Sequence, residues 1–337
     1  MDSNDLTAQF FAYARERHAI YLRREMGLPR ADWTEDRILK EYRFCNVFRE
    51  LDTTTIWLRE HVREPLRDKP EVLLAVVLYR WFNRIRTGEA VFLQGFLDDG
   101  RSAWEKFLDD SDTAVLKESI LAYCGKGPYV TGSYIIKTPD GIPKLPGVLL
   151  CLRRFMKNTP VYPRMQPPAD WQTVARNLLS PYTRGFFSLE STWEWLRNHD
   201  HLGDFMAYEI VSDLRYTDML DKAPDIMTWA NPGPGAMRGL NRIHGRDLKK
   251  LIPKKDYIVE MQKLLEVSKS PIYWPQWSGS TDSWFSDMAL PHGMDGYDPT
   301  AWPVWDMRTV EHTLCEFDKY LRVKNGEGAP RQKYKGA

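Results

Sequence analysis

The sequence predicts a helical protein, on three observations. Apolar residues recur with a period near 3.6 along most of the 337 residues. Capping residues such as Thr34 and Asp36, and the Pro-Gly-Pro-Gly of 232–235, punctuate the periodic runs. One stretch, 125–146, departs from the pattern towards the alternation of a strand.

Taken in order, residues 4–26 carry a first helix, and "LPRADWTEDRILKEYRF" interrupts it, with Thr34 as the expected N-cap and Asp36 near the next helix start. Residues 41–62 read as one long helix. At 100° per step, Phe44, Val47, Phe48, Leu51, Thr55, Leu58 and Val62 share a face. Arg43, Asn46, Glu50 and Trp57 fall on a neighbouring row, while Cys45, Arg49 and Asp52 take the other side. Further helices are expected at 70–87, 101–109, 111–123, 147–158, 170–179, 188–198, 203–220 and 224–230. Between them, "GKGPYVTGSYIIKTPDGIPKLP" (125–146) suggests one short β-hairpin or ordered loop. The Trp/Pro/Gly-rich stretch 270–304 reads as a long ordered loop. A helix at 306–323 and a basic, Gly-containing tail close the chain, which holds no internal repeat.

Composition narrows the functional classes. A formal charge of +1 means that any attraction to nucleic acid must come from a local cationic surface and not from the field of the whole molecule. Cys45, Cys124, Cys151 and Cys315 lie far apart without a C-x-x-C pair, which fits reduced thiols better than a disulfide framework or a zinc knuckle. The histidines are scattered, and "NHDHLG" (His199, His201) reads as a surface turn. No metal-ligand set is legible. The apolar run from Val72 is broken by Arg80 before the roughly 20 residues that a membrane span requires. The polar N-terminus lacks a signal-peptide pattern, so a cytoplasmic location and no membrane partner are expected. A P-loop kinase is rejected, because no G-x-x-x-x-G-K-[ST] occurs.

Three elements could carry chemistry. In "NPGPGAMRGLNR" (231–242), a helix ending near Trp229, the Pro-Gly hairpin and a new helix from Ala236 would expose the N–H groups of Gly233 and Gly235 at a positive helix end. That arrangement suits a phosphate, with Arg238 and Arg242 adding charge; the alternative is a tight interhelical turn. The closing helix sets Val310, Leu314, Phe317 and Leu321 on an apolar face. Glu311, Cys315, Asp318 and Arg322 form one flanking row, and His312, Glu316 and Lys319 another. His312 and Glu316 read as i,i+4 neighbours on a solvated face. In "LGDFMAYEIVSDLRYT" (202–217), Phe205, Ile210 and Leu214 look buried, with Tyr208, Glu209 and Asp213 bordering them.

The segments "YRFCNVFRELD", "YRWFNR", "YVTGSYI", "FMAYEIVSDLRY", "NPGPGAMRGLNR" and "LCEFDKYLR", in this order, resemble the bacteriophage enzymes of thymine hypermodification. That group comprises the alpha-glutamyl/putrescinyl thymine pyrophosphorylases, the amino acid:DNA transferases and the helical domain found with hydroxymethyluracil DNA kinases. The resemblance covers roughly residues 15–323. It implies an all-α, bilobal fold distantly like the helix-hairpin-helix DNA glycosylases, as a single catalytic domain over 1–323 with its hairpin element at 225–243 and a basic flexible tail at 324–337. Such glycosylases carry a catalytic Asp about twenty residues after the hairpin. Asp256 has that spacing, but its surroundings do not match and the role is not carried over.

The implied reaction is a transfer on DNA in the infected host cell. An upstream kinase pyrophosphorylates 5-hydroxymethyluracil, pyrophosphate then leaves, and an amino acid or polyamine becomes bonded to the methylene carbon. The base must be flipped out of its duplex, and Gly233, Gly235, Arg238 and Arg242 are the expected DNA grip. Arg43, Arg49, Lys319 and Arg322 would steady the leaving pyrophosphate, which Mg²⁺ could accompany without dedicated protein ligands. The amine must lose a proton, and Glu316 and Asp213 are the expected acceptors. Asn46 borders the substrate face, while Asn83, Tyr134 and Tyr208 would enclose the uracil. The rival readings are a glycosylase-like base-excision enzyme and a non-catalytic DNA-binding module that recruits a kinase.

Overall fold

The computed structural model describes residues 5–93, 100–158, 188–275, 302–330 and 332–334. Among them are thirteen α-helices and no strand, and the only β-type pairing is an isolated antiparallel bridge between Tyr42 and Lys333. The protein is all-α. Residues 1–52 with 226–337 form one compact unit, and Thr53–Asp225 forms a second.

In the first unit, α1 (Leu6–Glu25) begins where the Asp5 carboxylate accepts from the Thr7 N–H and ends on Arg23 and Arg24, which complement the negative helix end. A 3₁₀ turn (Arg30–Asp32) leads to the short α2 (Arg37–Glu41). Its cap is Asp36, which accepts from the N–H groups of Ile38 and Leu39; the expected cap, Thr34, instead accepts from the Asp36 N–H.

The predicted long helix over 41–62 does not form. Residues 42–48 are non-helical, a 3₁₀ turn follows at Arg49–Leu51, and α3 (Thr53–Leu58) runs on into a π-helical turn at Arg59–Arg63. The reason lies in tertiary hydrogen bonds that outbid the i→i−4 ladder. Arg17 of α1 donates to the Phe44 carbonyl and to Asn46 Oδ1, and the Asn46 N–H donates to Asp52 Oδ1. The tail adds two more bonds, with the Arg43 N–H donating to the Gln332 carbonyl and the Tyr334 N–H to the Glu41 carbonyl.

The second unit holds α4 (Val72–Phe82), α5 (Ile85–Phe92), α6 (Ala103–Asp110), α7 (Thr113–Cys124), α8 (Lys144–Asn158), α9 (Leu189–Arg197) and α10 (Gly203–Leu214). The predicted 70–87 helix breaks at Asn83, which caps α4 in the left-handed region at φ 43°. All eleven residues of α4 are buried, including Arg80. Of the 125–146 stretch, residues 125–143 are an ordered loop and not a hairpin, and α8 begins at Lys144. The loop is tied to neighbouring helices by Thr131 N–H to the Phe82 carbonyl and Thr87 Oγ1 to the Tyr129 carbonyl. The predicted helix at 170–179 lies outside the described residues.

Back in the first unit are α11 (Pro234–Ile243), α12 (Lys254–Val267) and α13 (Met307–Lys324). Residues 224–228 are turns, so the predicted helix before the Pro-Gly hairpin is absent and α11 begins directly at Pro234. Asp256 is exposed in the first turn of α12. Of the 270–304 stretch, the described flanks put Trp274 and Trp302, with Trp305 just beyond, into an aromatic cluster with Phe10, Phe11 and His18 of α1. The middle of that stretch lies outside the described residues. α13 buries Val310, Leu314, Phe317 and Leu321, the apolar face read from the sequence, and Phe317 packs edge-on to Phe10 of this cluster.

Candidate functional site

The two flanking rows of α13 face different partners. The row Glu311, Cys315, Asp318 meets α11. Glu311 Oε1 accepts the Gly233 N–H at 3.1 Å, and Asp318 accepts from Arg238 at 2.8 Å and Arg242 at 2.9 Å. A Cβ on Gly235 would stand 2.3 Å from Cys315 Sγ, and one on Gly239 would stand 2.6 Å from the Leu314 carbonyl oxygen. These glycines let two helix backbones approach closely. Arg242 also binds the Glu327 carboxylate, which is thereby lowered to a pKa of about 2, with help from Asn325. The hairpin expected to grip phosphate is engaged internally: the Gly233 amide, Arg238 and Arg242 each have a carboxylate partner on the same unit, and Gly235 is a packing position.

The second row, His312, Glu316 and Lys319, meets the irregular 43–52 segment and is not a solvated face. His312 and Glu316 are each 8% exposed. Glu316 Oε2 accepts the Cys45 N–H at 3.0 Å and Lys319 Nζ at 2.8 Å. Lys319 lies over the Phe44 ring, 4.6 Å from its centroid. Among the described residues no hydrogen bond reaches Glu316 Oε1. Arg49 pairs with Asp52 at 3.1 Å, and the Asn46 side chain spans the segment by donating to the Leu51 carbonyl. A sulfur, a carboxylate oxygen and a ring nitrogen from Cys45, Asp52 and His312 lie within 4.8 Å of one another.

Electrostatics here follow from burial beside mixed charge. Burial lowers the His312 pKa well below the usual imidazole range, and Arg49, Arg308 and Lys319 push it the same way, so the ring is neutral. Its Nε2 has no hydrogen-bond partner. Burial raises the Asp52 carboxyl against the opposing pull of Arg49 and the Asn46 N–H. Burial likewise raises the Cys45 thiol, reinforced by Glu316 and Asp52.

The other expected site residues are distributed as follows. Arg43 is exposed, with its guanidinium over the Tyr334 ring, so it turns towards the tail and away from the His312–Glu316 row. Arg322 sits at the end of α13, where its Nη2 would meet a Cβ on Gly328 at 3.3 Å. Asn46 is buried, and its polar groups are spent on Arg17, Asp52 and Leu51, which makes it a residue that shapes the segment.

Asp213, Asn83, Tyr134 and Tyr208 belong to the second unit, whereas Glu316 belongs to the first. Asp213 is fully buried and accepts from Arg80 Nε at 2.5 Å and Nη2 at 2.9 Å, with Arg63 3.5 Å away. Arg80 Nη1 reaches Asn83 Oδ1 at 3.1 Å and Glu209 at 3.4 Å. The Asp213 carboxylate is thus occupied by two guanidinium groups of its own unit. Tyr134 donates from its hydroxyl to the Arg80 carbonyl and packs edge-on to Phe205, which is half exposed and not the core residue expected. Tyr208 is buried in α10.

The residues that sequence reasoning undervalued are His312, Cys45, Asp52 and Arg17. Cys45, Arg49 and Asp52 fell on one row of the predicted helix and do share a neighbourhood, through a different backbone. Arg17 gave no signal, since a cation in a helix of alternating charge reads as surface.

An all-α protein of two units, with a mixed-charge cluster buried along one face of its last helix, is the class that fold and site define. The chain belongs to the family described as "5-hmdU DNA kinase, helical domain", whose model matches residues 4–329. This agrees with the resemblance to the phage thymine-hypermodification group. A 5-hmdU DNA kinase of Bacillus phage SP10 is 25% identical over 256 residues, which cover 69% of this chain and 35% of that relative. The chain thus spans about a third of the length of the curated relative it matches. No solved structure matches. Among the described residues, no helix is long and apolar enough to cross a membrane.

Proposed function

We propose that this protein modifies thymine-derived bases in phage DNA, as a transferase acting on 5-pyrophosphoryloxymethyluracil. The amine of an amino acid or polyamine attacks the methylene carbon. The C–N bond forms as the C–O bond breaks, pyrophosphate departs with the electron pair, and the proton of the attacking nitrogen passes to a carboxylate. With an amine pKa of roughly 8 to 10, that proton must be removed for attack to proceed.

Besides the family membership, one observation supports this reading. The buried Glu316 carboxylate keeps Oε1 unbonded while Oε2 is held by the Cys45 N–H and Lys319. Glu316 is then the proton acceptor, and Lys319 with Arg49 supplies the positive charge that a departing pyrophosphate needs. Arg17 and Asn46 are positioning residues that set the 44–46 backbone against Glu316.

A second reading has its own support. The relative is named a kinase, the chain spans only part of it, and this sequence contains no P-loop. A DNA-binding module that works beside a kinase would fit those facts. One experiment separates the readings: incubate the protein with pyrophosphorylated hydroxymethyluracil DNA and a panel of amino acids and polyamines, digest to nucleosides, and weigh the products. A nucleoside heavier by one amine supports the transferase. Abasic sites would mean a glycosylase, and salt-sensitive binding with no pyrophosphate release would mean the module.

A further inference from the structure

We infer that Cys45, Asp52 and His312 form a binding site for a divalent transition-metal ion of the zinc class. The three side chains come from the 43–52 segment and from α13, and their donor atoms lie within 4.8 Å of one another. Ligands on a tetrahedral zinc, at metal distances of about 2.0–2.3 Å, stand about 3.3–3.8 Å apart, so the trio needs to contract by roughly an ångström at most. Cys45 and Asp52 are partly exposed and give an ion a way in, while His312 is buried with Nε2 unpartnered.

The donor set selects the ion. Thiolate, imidazole and carboxylate together suit zinc, cobalt or iron, whereas magnesium and calcium prefer oxygen alone. The surroundings resemble the outer shell that metal sites require. Asp52 is oriented by the Asn46 N–H and Arg49, and a backbone hydrogen bond to Asn46 acts on the His312 ring. Binding exchanges the Cys45 thiol proton, released to solvent, for the ion. The thiolate and the Asp52 carboxylate are the two anions that the ion meets, the carboxylate being shared with Arg49 at 3.1 Å. Three protein ligands leave a fourth position for water or for an oxygen of a phosphoryl group, the pattern of reactive zinc sites. The sequence could not assemble this set, because its members straddle most of the chain and the histidine reads as solvated.

The inference does not depend on the transfer reaction, and its test is a binding measurement. The 337-residue chain, stripped with a chelator, is titrated with Co²⁺ while absorbance is followed in the near ultraviolet and the visible. One ion per chain should bind, with a sulfur-to-cobalt charge-transfer band and d–d bands of four-coordinate intensity, both abolished by Zn²⁺ and unaffected by Mg²⁺. Cys45→Ser should remove the charge-transfer band, and Asp52→Asn or His312→Gln should weaken binding at least tenfold. Cys315→Ser, on the opposite row of α13, should leave the spectrum unchanged. Absence of the band in the wild-type chain would overturn the site without any variant. Retention of the band in Cys45→Ser, or its loss in Cys315→Ser, would overturn it equally.

Discussion

Two buried polar clusters in this protein are built on opposite terms. In the Thr53–Asp225 unit, two guanidinium groups, Arg63 and Arg80, meet two carboxylates, Glu209 and Asp213, and the Asn83 carboxamide takes a further Arg80 donor. Charge is matched and the groups are enclosed. Along α13 of the other unit, a neutral His312 sits among cations with Nε2 unpartnered, and the Glu316 carboxylate keeps one oxygen without a hydrogen bond. Matched charge holds a fold together, whereas a carboxylate oxygen and an imidazole nitrogen without hydrogen bonds can still take up a bound group. The acidic residues expected to share a catalytic role, Asp213 and Glu316, fall on opposite sides of this contrast.

The contrast breaks most readily at Asp213. Asp213→Asn strips the anion from two buried guanidinium groups and should destabilise its unit by about 3–5 kcal/mol, read by urea or thermal unfolding. A variant that unfolds like the wild type would erase the distinction. Glu316→Gln should do the reverse. It keeps an oxygen for the Cys45 N–H, so stability should change by less than about 1 kcal/mol, while loss of a proton acceptor should slow amine transfer by about 10²–10⁴-fold, measured by nucleoside mass analysis. Arg49→Ala should impair transfer with it, whereas Arg43→Ala, which removes only a cation over Tyr334, should leave transfer within about twofold and stability within about 1 kcal/mol.

Gly235→Ala tests the other row of α13. Its methyl would enter the space of Cys315 Sγ, and overpacking of this kind costs about 1–3 kcal/mol, visible as a lowered Tm. The smallest expected effect is on pH dependence. Glu327 has its folded pKa depressed to about 2 by Arg242 and Asn325. Its contribution is therefore complete above the ordinary carboxylate range near pH 4.5 and is lost as pH falls towards 2. The side chain is partly exposed, so screening holds the effect below about 1 kcal/mol. Comparing Glu327→Gln with the wild type by thermal melts between pH 2 and 6 should show stabilities that converge at the acid end.

Local chemistry made much of the helical frame legible. Asp5, Ser102, Asp112, Ser188 and Asp306 cap the helices that the periodicity marks, each accepting backbone N–H bonds in the first turn. The apolar stripe of α13 was readable residue by residue. The 42–52 segment was not, because its helical periodicity is real but its backbone partners arrive from Arg17 and from Gln332 at the far end of the chain. The Pro-Gly element misled for a related reason. Its amides and arginines have the composition of an anion grip, and only the arrival of Glu311 and Asp318 on a neighbouring helix shows that the anions are the protein's own.

By itself, then, the sequence determined most of the helical stretches, the apolar face of the last helix, and the family to which the chain belongs. These depend on side-chain spacing and capping within a few residues. The tertiary structure alone decided which polar groups are matched and which are left open. Whether Asp213 is a clamped anion, or His312 a neutral ring beside Cys45 and Asp52, depends on burial and on partners more than a hundred residues away, which helical periodicity does not encode.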